Sequence, residues 1–176
     1  YKNIINLDGN DDYIQISNSN NLELSNSEFS MQIWYKCNGV TSFSSTSIME
    51  KYGTGSNGPF HWGLYIGGYS ETAAGKANFI IESNDINYAN LSSINPIDDG
   101  EWHHIAVERY NNGELRLYID GDLHDSGNVS LGINFDNDHN INIGSKHYNR
   151  FNNCEIGETM ISKENNYFSN FCPPLE

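Results

Sequence analysis

The stretch that decides the fold is Glu101-Trp102-His103-His104-Ile105-Ala106-Val107-Glu108-Arg109-Tyr110-Asn111-Asn112-Gly113-Glu114-Leu115-Arg116-Leu117-Tyr118-Ile119-Asp120-Gly121. Two strand-like runs flank Asn111-Asn112-Gly113, and Gly113 is suited to the left-handed position of a three-residue hairpin loop. That loop pairs Arg109 with Leu115, Glu108 with Arg116, Val107 with Leu117, Ala106 with Tyr118 and Ile105 with Ile119. Aliphatic pairs then share one face, and Glu108 meets Arg116 on the other. A two-residue loop would slip the register by one and set Val107 against Tyr118, so the pattern favours the longer bend.

The same alternation extends outward in both directions. Further strands are expected at 2–7, 13–17, 29–36, 47–51, 60–67, 76–82, 141–145 and 154–162, separated by turn residues such as Asp8-Gly9-Asn10 and Asp98-Asp99-Gly100. No amphipathic helix stands out. Ten or more short strands at this spacing indicate an all-β fold, an antiparallel sandwich or barrel. Within 60–66, Phe60, Trp62, Leu64 and Ile66 point one way, and His61, Gly63 and Tyr65 the other. Within 29–36, Phe29, Met31, Ile33 and Tyr35 oppose Ser30, Gln32, Trp34 and Lys36. An apolar and a mixed face on each strand suits two packed sheets. At 176 residues and with no internal repeat, residues 1–172 read as one domain. Residues 173–176 read as a C-terminal tail, part of it compatible with a cloning remnant.

A formal charge of -14, with nine Lys and Arg, argues against nucleic acid and anionic membrane as partners. No apolar run is long enough to span a bilayer. The acidity admits calcium, which takes carboxylate and amide oxygens. Two oxygen-rich loops offer candidates: Asp8 and Asp11 in the first, Asp136 and Asp138 in the second. Turn-forming Asp and Asn explain both loops equally well. Three cysteines, Cys37, Cys154 and Cys172, allow one bridge and one buried thiol.

Leu7-Asp8-Gly9 … Asp12-Tyr13-Ile14, Phe29 to Trp34, Trp102 to Val107 and Leu115 to Gly121, in that order, resemble the concanavalin A-like lectin/glucanase superfamily. Its laminin G-like and pentraxin-like branches look closest, over about residues 5–162. The resemblance implies an antiparallel two-sheet jelly-roll sandwich that binds glycans or protein receptors, often with calcium. The receptor-binding half of clostridial neurotoxins contains a similar sandwich. Relatives place an aspartate where Gly157 stands here, so a calcium site built on that carboxylate is not supplied. Laminin G domains often bridge a cysteine of the last strand to one near the C-terminus, which implies a Cys154–Cys172 disulfide.

The glucanases in this superfamily carry paired carboxylates on one strand face. Glu155 and Glu158 differ by an odd number and would face opposite sides of a regular strand, and Glu101 and Glu108 fail likewise. No nucleophile elbow or phosphate loop occurs, so no catalysis is expected. His103 and His104 are strand neighbours, so they point apart and cannot chelate together. Sugar rings dock on aromatic faces while their hydroxyls bond planar polar groups. Gln32, Trp34, His61 and Tyr65 are therefore the candidate ligand-binding residues, flanked by Tyr52 and Tyr69, with Gly63 leaving room between rings. The expected function is recognition by a secreted, cell-surface or virion-surface domain. The favoured form is a lectin-like carbohydrate-binding module with a glycan or glycoprotein partner; the alternative is a laminin G-type domain that meets a protein receptor.

Overall fold

A computed structural model describes residues 3–39, 45–55, 58–68, 74–84, 86–146, 150–167 and 169–173. In chain order the strands are β1 (Ile5–Asp8), β2 (Ile14–Ile16), β3 (Phe29–Cys37), β4 (Thr46–Gly55), β5 (Gly58–Ile66), β6 (Ala77–Ser83) and β7 (Ile86–Ser92). They continue with β8 (His103–Arg109), β9 (Glu114–Ile119), β10 (Asp122–Asn128), β11 (Ile141–Ile143), β12 (Ser145–Lys146), β13 (Arg150–Phe151) and β14 (Asn153–Ser162). Two six-stranded sheets result. Sheet A runs β1-β14-β3-β8-β9-β10 and sheet B runs β2-β11-β4-β5-β6-β7. Every pairing between these strands is antiparallel. The fold is the expected all-β jelly-roll sandwich.

The deciding hairpin takes the register with Arg109 opposite Leu115 and Ile105 opposite Ile119. Gly113 has φ +85°, and a Cβ there would press on the Val129 carbonyl, so the bend needs glycine twice over. Ile105, Val107, Leu115, Leu117 and Ile119 face the core with Met31, Ile33 and Tyr35 of β3. Trp62, Leu64, Ile66, Phe79 and Ile81 close it from sheet B. Burying each of these larger side chains is worth about 1.5–3 kcal/mol before ordering costs.

The opposite-charge pairing of Glu108 with Arg116 needs correction. The two are cross-strand partners, but Arg116 Nε donates to Glu114 at 2.7 Å and its guanidinium lies 4.6 Å over the Tyr110 ring. Glu108 is fully buried and is held by Asn165 Nδ2 at 3.0 Å and by the Asn166 N–H. Both amides come from a segment beyond β14 that sequence periodicity does not reveal.

That segment, residues 163–167 and 169–173, crosses the outer face of sheet A. Asn165 Nδ2 also donates to the Arg109 carbonyl at 2.8 Å, and the Phe171 N–H donates to the Gly121 carbonyl at 2.9 Å. Tyr167 and Phe171 stack at 3.5 Å and 5°, and both meet His104 edge-on. An aromatic layer thus covers β8 and β9.

Candidate functional site

The pairing order divides the expected ligand-binding residues between two surfaces. Gln32 and Trp34 alternate with the inward-facing Met31, Ile33 and Tyr35, so they lie on the outer face of sheet A. Tyr52 on β4, and His61 and Tyr65 on β5, lie on the outer face of sheet B, because Trp62, Leu64 and Ile66 fill the core. These two faces are on opposite sides of the sandwich, and the single platform expected from one mixed face does not form. Tyr69 lies outside the described residues.

On sheet A the group is closed over. Gln32 and Trp34 are buried; Gln32 Oε1 faces His104 Nε2 at 3.1 Å and accepts from the Tyr167 hydroxyl. Burial pushes the His104 imidazole down to about 4, keeping it neutral. This surface is committed to holding the C-terminal segment.

On sheet B the cross-strand register aligns polar groups in rows. One row runs Gln15, Asn142, Glu50, Gly63, Ile80, Asn90 across all six strands. Gln15 Nε2 donates to Asn142 Oδ1 at 3.0 Å. The neighbouring row runs Tyr52, His61, Glu82. The Tyr52 and His61 rings are 4.8 Å apart, and His61 Nε2 lies 3.6 Å from Glu82 Oε2. Tyr65 donates its hydroxyl to Glu50 Oε2 at 3.0 Å, and both are buried. Burial first, then the Glu50 carboxylate, pushes the Tyr65 phenol well above its ordinary range. The room expected over Gly63 is taken by Tyr65 itself, whose ring and hydroxyl occupy the place of a Cβ. Glu50, Asn142, Gln15 and Glu82 were missed because only the pairing of β2, β11, β4, β5 and β6 brings them together.

The oxygen-rich loops also separate. Asp8 and Asp11 do converge, with Asp12 as a third carboxylate, their oxygens within 4.8 Å of one another. The Asn10 side-chain and backbone N–H groups both donate to Asp8, which holds its carboxyl below the usual range. Asp136, by contrast, accepts from the Leu24 N–H at 2.7 Å and the Ser25 N–H at 3.1 Å. It fastens the 24–25 backbone. Asp138 is exposed beside His139.

The expected Cys154–Cys172 bridge is absent, and both are free thiols. Cys154 faces the core on β14. Cys172 is exposed at the end of a segment anchored beside Gly121 on the outer face. From β14 to β9 is three strand spacings, roughly 14 Å, beyond the Cα reach of a disulfide. The expected parity of Glu155 and Glu158 does not hold, because β14 is not regular. Its register against β3 shifts between Ile156 and Thr159, so an extra residue restores Glu155 and Glu158 to the same outer face. Glu155 there is ion-paired with Lys36 at 2.9 Å.

A family profile described as the concanavalin A-like lectin/glucanases superfamily matches residues 8–164. The chain belongs to that superfamily. No curated protein sequence matches it. Among solved structures, the botulinum neurotoxin serotype D ligand-binding domain in complex with N-acetylneuraminic acid is similar at a TM-score of 0.72 and 19% identity, over 95% of this chain and 40% of that one. The binding domain of Paraclostridial Mosquitocidal Protein 1 gives 0.62 and 14%, over 92% and 41%. Mouse laminin alpha1 domains LG4-5 give 0.60 and 17%, over 90% and 40%. At these identities the likeness concerns the fold, and the chain spans about 40% of the length of the structures it matches. The superfamily's sandwich accounts for the two-sheet order.

Proposed function

We propose that this domain is a non-catalytic recognition module that binds a glycan on the outer face of sheet B. The observation that carries the reading is the pair of rows, in which amides and carboxylates lie beside the Tyr52 ring. Gln15 and Asn90 are exposed at the two ends of the longer row, and Tyr52 and Glu82 are partly exposed. Planar acceptors and donors next to a ring suit sugar hydroxyls and a sugar face. One structure of similar fold holds N-acetylneuraminic acid, which supports a saccharide as the ligand class. A charge of -14 repels nucleic acid and anionic lipid. Glu155 is occupied by Lys36, which speaks against its acting as a free catalytic carboxylate. Recognition of this kind belongs outside the cell or on its surface.

Calcium belongs to this reading at one place, the Asp8–Asp12 loop, as a loop-ordering ion. A glycan array probed with calcium and again with chelator tests the whole. A defined subset of glycans should bind, and Tyr52→Ala and Gln15→Ala should each weaken binding while leaving the melting temperature within a few degrees. Silence on the array under both conditions overturns the glycan reading. Melting that chelator leaves unmoved removes the ion, since a ligand of the native state must raise stability.

A second reading, a protein receptor, has its own support at the β7–β10 edge. Ile94 is 61% exposed and Leu123 is 42% exposed. The Ile94 N–H donates to His124 Nδ1 at 3.1 Å, which brings residue 94 next to the strand that carries Leu123. Binding to cells that survives removal of their glycans and is lost in Ile94→Asp would favour this edge.

A further inference from the structure

Cys37 ends β3 and Cys154 begins β14, and the ladder sets them directly opposite each other. Both belong to the core cluster, so their side chains share the inner face of sheet A. The kind of pair follows from the backbone. The Cys37 carbonyl accepts from the Gly100 N–H at 2.9 Å, on the β8 side. In a strand the N–H and C=O of one residue point the same way, so neither group of Cys37 is directed at β14. The pair is therefore a non-hydrogen-bonded one, where Cα atoms stand about 4.5 Å apart and side chains are closest. That separation falls inside the range a disulfide spans, about 4.4–6.8 Å between Cα atoms. The Tyr35 hydroxyl accepts from Asn152 Nδ2 at 2.6 Å, and its side chain shares the inner face of sheet A with the two cysteines.

We propose that Cys37 and Cys154 form a cross-strand disulfide when the protein meets a disulfide oxidant. One thiol loses its proton and attacks the oxidant's S–S bond, forming a mixed disulfide and expelling the first thiolate. The second cysteine, as thiolate, attacks the protein sulfur of that mixed disulfide and expels the second. The two protein protons go to the two leaving thiolates. The protein loses two electrons, and the oxidant, a small-molecule disulfide such as glutathione disulfide, gains them. A surface cleft of about 200 Å³ counts both cysteines among its lining, with Leu7, Lys36, Asn38 and Glu155. Burial raises the two thiols to about 11 and about 12. In the folded domain the reaction is therefore slow at neutral pH and accelerates with alkalinity, because thiolate is the attacking species. Formed during folding, the bond would tie the first long strand of sheet A to the last. Cys172, exposed and remote, remains as a separate thiol.

The experiment is refolding of the full chain in a glutathione redox buffer, followed by alkylation and tryptic mapping without reductant. The expected product joins peptide 37–51 to peptide 151–163 and is two hydrogens lighter than the reduced pair. It should melt several degrees above the reduced protein, and Cys37→Ser should abolish both the link and the shift. A link between 151–163 and 164–176 overturns the proposal. So does alkylation of both Cys37 and Cys154 after refolding, with oxidation confined to Cys172. Repeating the oxidation on folded Cys172→Ser protein at rising pH should speed the link; a rate independent of pH refutes the thiolate route.

Discussion

The ring of Tyr65 lies over Gly63, two residues earlier on the same strand face, and fills the volume a side chain there would occupy. From that position its hydroxyl reaches Glu50 at 3.0 Å. Glycine at 63 is required by space and not by backbone conformation, since the chain there is ordinary β-strand. Gly63→Ala should force the ring to shift and weaken the Glu50 contact, at about 1–3 kcal/mol. Urea denaturation measures it. Tyr65→Ala in the same background should recover part of the alanine penalty, because the two changes act through one contact. Strict additivity would show that the ring does not confine position 63.

Acid should weaken the domain through His104. An unfolded histidine takes a proton near pH 6.5, whereas the buried His104 resists it down to about 4. Between those values the unfolded chain binds a proton that the native protein does not, so stability falls as pH drops, by roughly 3 kcal/mol across the window. His104→Gln should flatten the decline while keeping a donor toward Gln32. Urea midpoints from pH 7 to 4.5 decide, and equal slopes for the two proteins would remove His104 as the cause.

His103 works in the opposite direction. Its Nδ1 lies 2.7 Å from Asp120 and its Nε2 3.2 Å from Asp99. The Asp120 hydrogen bond, with help from Asp99, raises its pKa above the ordinary histidine value. A raised value in the native state means the contribution is complete below about pH 6.5 and is lost as pH climbs through the native value. Both carboxylates are about half exposed, so solvent limits the effect to about 1 kcal/mol or less. His103→Asn should cost more at pH 6 than at pH 9. A cost unchanged across that range would show packing and not charge.

The elements that could be read in advance are those whose own residues carry the alternation. The 101–121 hairpin and the inward face of β5 are examples. β10 escaped because Asp122-Leu123-His124-Asp125-Ser126-Gly127-Asn128 is a mostly polar edge strand, identifiable only by its pairing with β9. β7 escaped because asparagines interrupt its apolar residues. The candidate site was less legible for the same reason. Alternation says which side chains of one strand share a face, but not which sheet the strand joins. That is how Gln32 and Trp34 came to be grouped with His61 and Tyr65. The bulge after Ile156 likewise inverted the expected parity of Glu158, and Cys37 could be matched to Cys154 only once β3 and β14 were known to be neighbours.

The C-terminal segment carries the remaining prediction. Asn165 directs one amide nitrogen at Glu108 Oε2, the Arg109 carbonyl and the Phe29 carbonyl. Glu108 is fully buried, and burial raises its pKa. Asn165→Ala leaves a buried carboxylate short of a donor and should cost about 1–3 kcal/mol. Asn165→Asp replaces the donor with a second carboxylate beside the first, so it should cost more at neutral pH and recover part of the loss in mild acid. Because Tyr167 and Phe171 follow the same anchor, both variants should also loosen the aromatic layer over His104, seen as faster amide exchange at 169–172. Protection of those amides equal to that of the parent would show that the stacked rings, and not Asn165, hold the segment to sheet A.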